Sequence, residues 1–372
     1  MVTTSFFLFY HNSIVKSSII CYNNRSEVIF LSYYNGTKVL SMKDLDGLSP
    51  EIIIVETNRT AGKTHFFGKM LLNNFIRKNK KFALLLRYKN QLDGCGEKFF
   101  KDVMQNKFPD KKLWTKMDRS HIFSNLFFEN KHCGYGIALS SARQIKEISS
   151  NFIDVEDMLL DEMQPIDFKY VKNEVHNLQS IHTSIARGYG KQTRFVRVIM
   201  LSNAVSLLNP YYVQLGISQR LRKDTKFMRG RGWILERTLN ESAAKAMEES
   251  RFNIAFGSNK MSRHEIENNY MDDNAFIVKM SGSFTYLCTL MYAGKYFSVK
   301  FFSKETFMYC DHNYDIDFPK KFTVDLNSFI DGDFAFDPAN PFKTTLRHYY
   351  YNGGVRCSSL LAKECLLAFI SY

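Results

Sequence analysis

The sequence has no Cys-x-x-Cys pair; its seven cysteines, Cys21, Cys95, Cys133, Cys288, Cys310, Cys357 and Cys365, are scattered and odd in number. That pattern argues against a zinc site and against the disulfide framework of a secreted domain, and it fits a reducing cytoplasm. No apolar run approaches the roughly 18 residues that a membrane helix needs. The short apolar patch at residues 6–10 has no basic segment before it and no small-residue cleavage site after it, which argues against a signal peptide. Internal repeats and low-complexity tracts are absent from the sequence. Acidic residues are in deficit: 37 Asp and Glu stand against 50 Lys and Arg, a net charge of +13. Such a balance favours an anionic partner, most simply nucleic acid, without saying where the charge sits.

What is present is an ordinary globular composition, 45% hydrophobic and 23% charged, in a chain of 372 residues. This length buries a full core without metals or disulfides, and at roughly 150 residues per domain it suggests two domains. Residues 1–46 form an N-terminal extension with no legible chemistry; Val28-Ile29-Phe30-Leu31 reads as part of a strand hairpin or of an irregular arm. From residue 50, short branched apolar runs at 52–55, 82–86, 158–160 and 196–201 read as buried strands. A helix is expected over 65–77, a helix end over 103–108 closed by Pro109, and a hairpin from 122–128 and 136–139 about a turn at 130–134. Buried strands separated by helices predict an α/β domain with a parallel sheet over 47–236. Polar helices at 239–251 and 263–270 make 237–274 a linker. Strands at 276–280, 286–292, 296–302 and 306–310, with a helical ending over 358–369, then predict a smaller α+β domain over 275–372.

The chemistry sits in Thr57-Asn58-Arg59-Thr60-Ala61-Gly62-Lys63-Thr64, between a buried strand and a helix. It matches G-x-x-x-x-G-K-[ST] except at its first position. In such a loop, backbone N–H groups and the helix N-terminus cradle phosphates. Lys63 reaches the β- and γ-phosphates of ATP and Thr64 ligates Mg²⁺. Thr57 stands where glycine eases the turn, and as a β-branched residue it must keep a negative φ. Asp161 and Glu162 follow the apolar run Met158-Leu159-Leu160, so one strand delivers two adjacent acids. Asp161 suits a water-mediated Mg²⁺ ligand and Glu162 a general base. A third strand ends in Ser202-Asn203, where an amide could sense the γ-phosphate. Adjacent acids after a P-loop point to the additional-strand, catalytic-glutamate class of ATPases.

These elements, in this order, resemble the DNA-packaging ATPases of phi29-like podoviruses, distant relatives of terminase large subunits. The run from Leu201 through Ser202-Asn203-Ala204-Val205-Ser206 to Asn209-Pro210-Tyr211-Tyr212 is the most specific match. Leu86-Arg87-Tyr88-Lys89, Ile137-Ala138-Leu139-Ser140 and Asn173-Glu174-Val175 also occupy family positions, and Tyr292-Ala293-Gly294 and 307–311 match more weakly. The resemblance implies a ring of subunits, pentameric in the family, on the portal of a prohead in the host cytoplasm. ATP hydrolysis there drives double-stranded DNA inward, and a packaging RNA can take part. It assigns Lys63, Thr64, Asp161 and Glu162 as above, gives Arg59 the loop arginine of many packaging ATPases, and makes Asn203 part of the motif that couples nucleotide state to movement. Arg187 falls where the family places its trans-acting arginine finger. A few extra residues before the next strand leave Lys191, Arg194 and Arg197 as competitors.

The resemblance also implies an RNase H-like C-terminal domain without nuclease activity. The expected first strand, 276–280, carries Lys279 and no acid, and Asp311, Asp331, Asp333 and Asp337 form no convincing metal set. Two basic clusters are candidate nucleic-acid contacts: Arg220, Arg222, Lys223, Lys226, Arg229 and Arg231, and then Lys343, Arg347 and Arg356 among His348, Tyr349, Tyr350 and Tyr351. The alternatives are an active terminase that cuts DNA and a P-loop scaffold that binds nucleic acid without turnover.

Overall fold

The computed structural model describes residues 19–21, 29–31, 33–103, 110–167, 169–188, 192–206, 209–217, 220–221, 225–256, 266, 268, 277–324, 334–335, 337, 340–351 and 354–371. Two short strands, β1 (Ile19–Cys21) and β2 (Ile29–Leu31), pair antiparallel, as the apolar run at 28–31 suggests.

The larger sheet has nine strands in the order β10-β11-β3-β9-β8-β4-β7-β6-β5. They are β3 (Ile52–Thr57), β4 (Lys81–Leu86), β5 (Leu113–Met117), β6 (Phe123–Phe128), β7 (Lys131–Ala138), β8 (Val155–Leu160), β9 (Arg197–Ser202), β10 (Phe227–Gly230) and β11 (Trp233–Thr238). From β11 to β7 all neighbours are parallel, and antiparallel strands close both edges. The strand β9 lies between the P-loop strand β3 and the acid-bearing β8, the additional-strand arrangement expected from the adjacent acids.

Alternation along each strand feeds two separate cores. Ile53, Val55, Leu84, Leu159 and Ile199 face α2 (Lys63–Lys78) and α3 (Cys95–Val103), where Phe67, Leu71, Phe75 and Phe99 cover them. Ile54, Leu85, Met158, Leu160 and Met200 face the other way. There α4 (Ala142–Glu147), α5 (Glu174–Ile185) and α6 (Pro210–Gln214) supply Ile145, Ile181, Ile185, Tyr211 and Tyr212. Burial on both faces explains why the interior strands read as continuous apolar runs. Parts of 33–46 pack on the α2 side of the sheet: Tyr34 and Val39, the latter in α1 (Thr37–Ser41), join that core, Tyr34 donates its hydroxyl to Glu236, and Asp44 accepts from the Gly232 amide at 2.8 Å.

Several expectations shift. The 65–77 helix is α2, two residues longer at its start. The helix expected to end near Pro109 is described to Val103 only; 104–109 lie outside the described residues. The hairpin turn falls at 129–130, with Glu129 at φ 55°, because β7 starts at Lys131. The strands β5, β10 and β11 were not expected. In the linker, α7 (Glu241–Glu248) and α8 (Arg251–Phe256) replace one longer helix, and the helix expected over 263–270 falls outside the described residues except at 266 and 268.

The second sheet has five strands, β15-β12-β13-β14-β16. A meander of β12 (Thr285–Tyr292), β13 (Lys295–Phe302) and β14 (Phe307–Asp311) is followed by β15 (Lys321–Thr323), parallel to β12, and β16 (Val355–Cys357), parallel to β14. Ala335 bridges onward from Phe322 in parallel. A meander with one parallel strand, β15, beside its first strand accords with the RNase H-like order, and β16 extends the opposite edge beside β14. The β12–β13 turn puts Ala293 at φ 50° and Gly294 at φ 69°, the pair of left-handed residues that a two-residue hairpin favours. The helices α9 (Pro341–Tyr351) and α10 (Leu360–Ser371) contribute Leu346, Leu366 and Phe369 to the core beneath it. The strand expected over 276–280 is reduced to one bridge, Ile277 to Cys357, so the first strand of the meander is β12; it too carries no acid.

Candidate nucleotide site

Open parallel sheets place ligands at the C-terminal ends of their strands. Three such ends, of β3, β8 and β9, converge here. The segment that follows β3 turns through Thr60 at φ 62° and Gly62 at φ 94°, then enters α2 at Lys63. Thr57 stays extended as the last residue of β3, opposite Thr238, so the motif's departure from glycine is harmless: the left-handed turn lies three residues further on. Ala61 is buried, and its carbonyl accepts from the Tyr34 amide at 2.8 Å; Arg59 and Thr60 are exposed.

Lys63 donates from Nζ to Asn203 Oδ1 at 2.8 Å. Burial pushes its ammonium pKa down, opposed by the charges of Asp161, Glu56 and Glu162. Thr64 Oγ1 donates to Asp161 Oδ2 at 2.9 Å, while the Glu162 amide donates to Asp161 Oδ1 at 2.9 Å. Burial raises the Asp161 carboxyl pKa; the Thr64 hydrogen bond and the Lys63 charge hold it back. A hydroxyl and a carboxylate side by side are hard oxygen donors that suit Mg²⁺, which keeps several waters and takes few protein ligands. Glu162 is exposed and left-handed, with φ 54°. Its charge acts on both Lys63 and Asp161, which puts an exposed carboxylate beside them.

Two buried networks fix these ends, and sequence reasoning did not anticipate either. Arg87, at the end of β4, donates to the Glu162 carbonyl at 2.7 Å and to the Met163 carbonyl at 2.6 Å. It is paired with Glu174 at 3.1 Å, which also accepts from Tyr211 at 2.8 Å. The available signal was an arginine ending a buried strand, where a charge needs a reason. The second hub is Glu56, fully buried one residue before Thr57. It accepts from Arg237 at 2.8 Å, Tyr212 at 2.8 Å and Gln164 at 3.3 Å, and Gln164 in turn accepts from the Ser206 amide at 2.8 Å. One carboxylate thus ties together the residues behind all three strand ends.

Asn58, expected at the nucleotide, turns its side chain away: it is fully buried and exchanges hydrogen bonds with the backbone of Asn240. Arg187 is exposed just beyond α5, a helix of 12 residues, or about 18 Å, whose first residue Glu174 sits at the site. Arg187 is thus at the far end from its own Glu162. Among its competitors, Arg197 pairs with Asp157 at 2.8 Å and Arg194 donates to the Ile185 carbonyl at 3.0 Å; Lys191 lies outside the described residues.

The basic clusters separate. Arg220, Arg229 and Arg231 are exposed, with Arg229 on the edge strand β10 and Arg231 paired to Asp46 at 3.5 Å; Arg222 and Lys223 lie outside the described residues. Lys343 is a correction: it is 5% exposed, with Nζ 4.9 Å above the Phe369 ring, so packing and not phosphate contact occupies it. Arg347 is exposed but donates to the Ile370 carbonyl near the end of α10, and Arg356 is half-buried with its guanidinium 5.8 Å above the Phe307 ring. Asp311 is gripped by Lys300 Nζ at 2.9 Å from both oxygens, so an ammonium neutralises it. Asp331 and Asp333 lie outside the described residues, and among the described residues no group of three His, Cys, Asp or Glu side chains is placed to hold a metal.

The chain is similar to the DNA packaging proteins of Bacillus phages PZA and phi29, each 26% identical over 301 residues, 79% of this chain and 84% of theirs. In fold it is similar to a chain of the bacteriophage phi29 genome packaging motor assembly (TM-score 0.53, 23% identity, 89% of this chain and 96% of that one). It is also similar to a chain of the Phi-28 gp11 DNA packaging motor (TM-score 0.60, 16% identity, 92% and 99%). The model of the podovirus DNA encapsidation protein (Gp16) family matches residues 31–336, and the chain belongs to that family.

Proposed function

We propose that this encapsidation protein is the motor subunit that couples hydrolysis of Mg²⁺-ATP to translocation of double-stranded DNA through a portal into a prohead. The observation that carries the reading is the meeting of Lys63, Thr64, Asp161 and Asn203 at three adjacent strand ends, with Glu162 exposed beside them. Backbone amides of the 58–62 loop and the start of α2 cradle phosphates, and Lys63 moves from Asn203 to the β- and γ-phosphates. Thr64 and Asp161 hold Mg²⁺, which neutralises phosphate charge when bound. Glu162 takes the proton of the attacking water. Asn203, released by Lys63, senses the γ-phosphate.

Arg187 serves the neighbouring subunit's site, which accords with its place at the far end of α5 and with a ring, pentameric by the family's pattern. The exposed arginines on and beside β10 grip the DNA backbone, which requires charge and no sequence readout. The proposed division is an N-terminal extension (1–46) whose residues Tyr34 and Val39 pack into the first core, an ATPase domain (47–236), a linker (237–274) and an RNase H-like domain (275–372), working at the portal in the host cytoplasm, with a packaging RNA as an optional partner. The held Asp311 and the acid-free β12 favour this over a DNA-cutting terminase. The complete acid, lysine and threonine set favours it over an inactive scaffold.

Phosphate release from ATP by the purified chain, with and without double-stranded DNA and Mg²⁺, tests the reading. Turnover that needs Mg²⁺, rises with DNA and disappears in Lys63→Ala supports it. DNA binding with no turnover in the presence of proheads supports the scaffold instead.

A further inference from the structure

The pairing of β3 with β11 does not stop where the strands do. Glu56 lies opposite Arg237 and Thr57 opposite Thr238 in the parallel ladder. One residue later the P-loop departs, and the side chain of Asn58 takes over. Its Nδ2 donates to the Asn240 carbonyl at 3.1 Å, and its Oδ1 accepts from the Asn240 amide at 2.9 Å. A primary amide presents one donor and one acceptor in the same plane, as a peptide does, so it extends the ladder by one rung. Asn240 is itself the N-cap of α7: its Oδ1 accepts from the Ala243 amide at 2.9 Å. The first residue of the phosphate loop after the strand therefore holds, through 182 residues of sequence, the first turn of the helix that leaves the sheet.

A second tie runs beside it. Asn268, 3% exposed, accepts from the Ala204 amide at 3.1 Å, immediately after Asn203, and donates to the Thr238 carbonyl at 3.3 Å. Arg237 donates to the Asn268 carbonyl at 3.4 Å. The phosphate loop and the Asn203 turn are thus both fastened to the same short stretch, 238–240, by asparagine side chains.

We propose that Asn58 is a positioning residue that passes the state of the phosphate loop to the N-terminus of α7, with Asn268 as the parallel tie from the Asn203 turn. This rests on the nucleotide-site reading above. When phosphates draw the loop's amides and Lys63 toward them, the Asn58 amide has to shift with its backbone. Asn240 follows because its amide donates to Asn58 Oδ1 at 2.9 Å, while its carbonyl accepts both from Asn58 Nδ2 at 3.1 Å and from the Ala244 amide at 3.0 Å, so the Asn58 side chain is tied directly into the first turn of α7. Breaking the amide's bond to Asn58 in this half-buried place costs more than moving the cap. The part of the chain that joins the ATPase sheet to the second sheet is thereby displaced by nucleotide without touching it.

Hydrogen–deuterium exchange of the full-length chain, without nucleotide and with saturating Mg²⁺-ADP or a non-hydrolysable ATP analogue, tests this. Saturation of each protein is established separately by titration with a fluorescent analogue. In the wild type, nucleotide is expected to change exchange in a peptide spanning 238–246. In Asn58→Ala, with nucleotide bound, that change is lost, and the Asn240 amide exchanges about tenfold faster in every state. A merely structural role would speed exchange equally with and without nucleotide while leaving the nucleotide-dependent difference intact, and that result overturns the proposal. So does a wild type whose 238–246 exchange ignores bound nucleotide. Asn58→Ser serves if the alanine variant does not fold, with the same expectation. A wild type that binds no nucleotide at all defeats the site reading and not the tie.

Discussion

Glu56 and Arg237 form a buried ion pair, Oε1 to Nε at 2.8 Å, directly behind the phosphate loop. The pair joins neighbouring strands, β3 and β11, at the level where both end. Because Glu56 also accepts from Tyr212 and Gln164, it works as a fixed post to which the loop, the acid turn and the Asn203 turn are tied. Removing one charge of a buried pair leaves the other uncompensated, a loss of about 3–5 kcal/mol. Glu56→Gln should therefore lower the urea midpoint strongly, and Glu56→Gln with Arg237→Met should recover part of the loss. Full additivity of the two single variants would show that they do not act as a pair.

The Thr64–Asp161 contact predicts a shared metal site. Thr64→Ala and Asp161→Asn should each raise the Mg²⁺ concentration needed for half-maximal ATP hydrolysis, and Asp161→Asn should also cut maximal turnover. Nucleotide affinity measured without Mg²⁺ should change little in Thr64→Ala, since the loop amides and Lys63 remain. A metal-free affinity that falls as far as the turnover would place Thr64 in the fold of the loop instead.

The position of Arg187 at the end of α5 away from Glu162 predicts complementation between subunits. Arg187→Ala alone should reduce turnover by about 10³ or more, and Glu162→Gln alone should abolish it. Mixing the two variants regenerates interfaces with an intact Glu162 on one side and an intact Arg187 on the other. Partial recovery of DNA-stimulated turnover is expected in the mixture. No recovery in rings shown to be mixed would place the arginine elsewhere.

Cys95, Cys133, Cys288, Cys310, Cys357 and Cys365 are buried, and burial raises the thiols of five of them: Cys95 to about 11 and Cys133 to about 12, with Cys288, Cys310 and Cys365 also raised. The native state thus holds these protons more tightly than the unfolded chain, whose thiols ionise near their ordinary value of about 8.5. Stability is accordingly full below that pH and declines as pH rises through it toward the native values. Iodoacetamide at pH 8 should modify these six buried cysteines slowly in the native protein and fast in urea. Rapid native labelling at Cys95 or Cys133 would contradict the packing of the first core.

Much of the site was legible because its parts are local. A branched apolar run, a Gly-Lys-Thr turn and a helix lie within 27 residues, 52–78, and the acids directly end their strand. The meander of the second sheet was legible as successive strands at 286–292, 296–302 and 306–310, and its RNase H-like character only through the family resemblance. What failed was non-local. Trp233–Thr238 contains Glu236 and Arg237, charges that hide a buried strand, yet the Tyr34 hydroxyl hydrogen-bonds the one and Glu56 neutralises the other from nearly two hundred residues away. The same distance hid the role of Asn58, since a motif assigns the loop's amides but says nothing of where a side chain turns. Lys343 read as a phosphate contact because its neighbours are basic and aromatic. On α9, however, that composition lays its charged chain over Phe369.

The central claim is that Glu162 activates water at a DNA-driven ATPase site. The most direct measurement compares ATP binding and DNA-stimulated phosphate release in the wild type and Glu162→Gln. The account predicts that the variant binds Mg²⁺-ATP within a few-fold of the wild type while losing turnover both with and without DNA. Turnover in Glu162→Gln that stays near the wild-type rate, with binding intact, would contradict it.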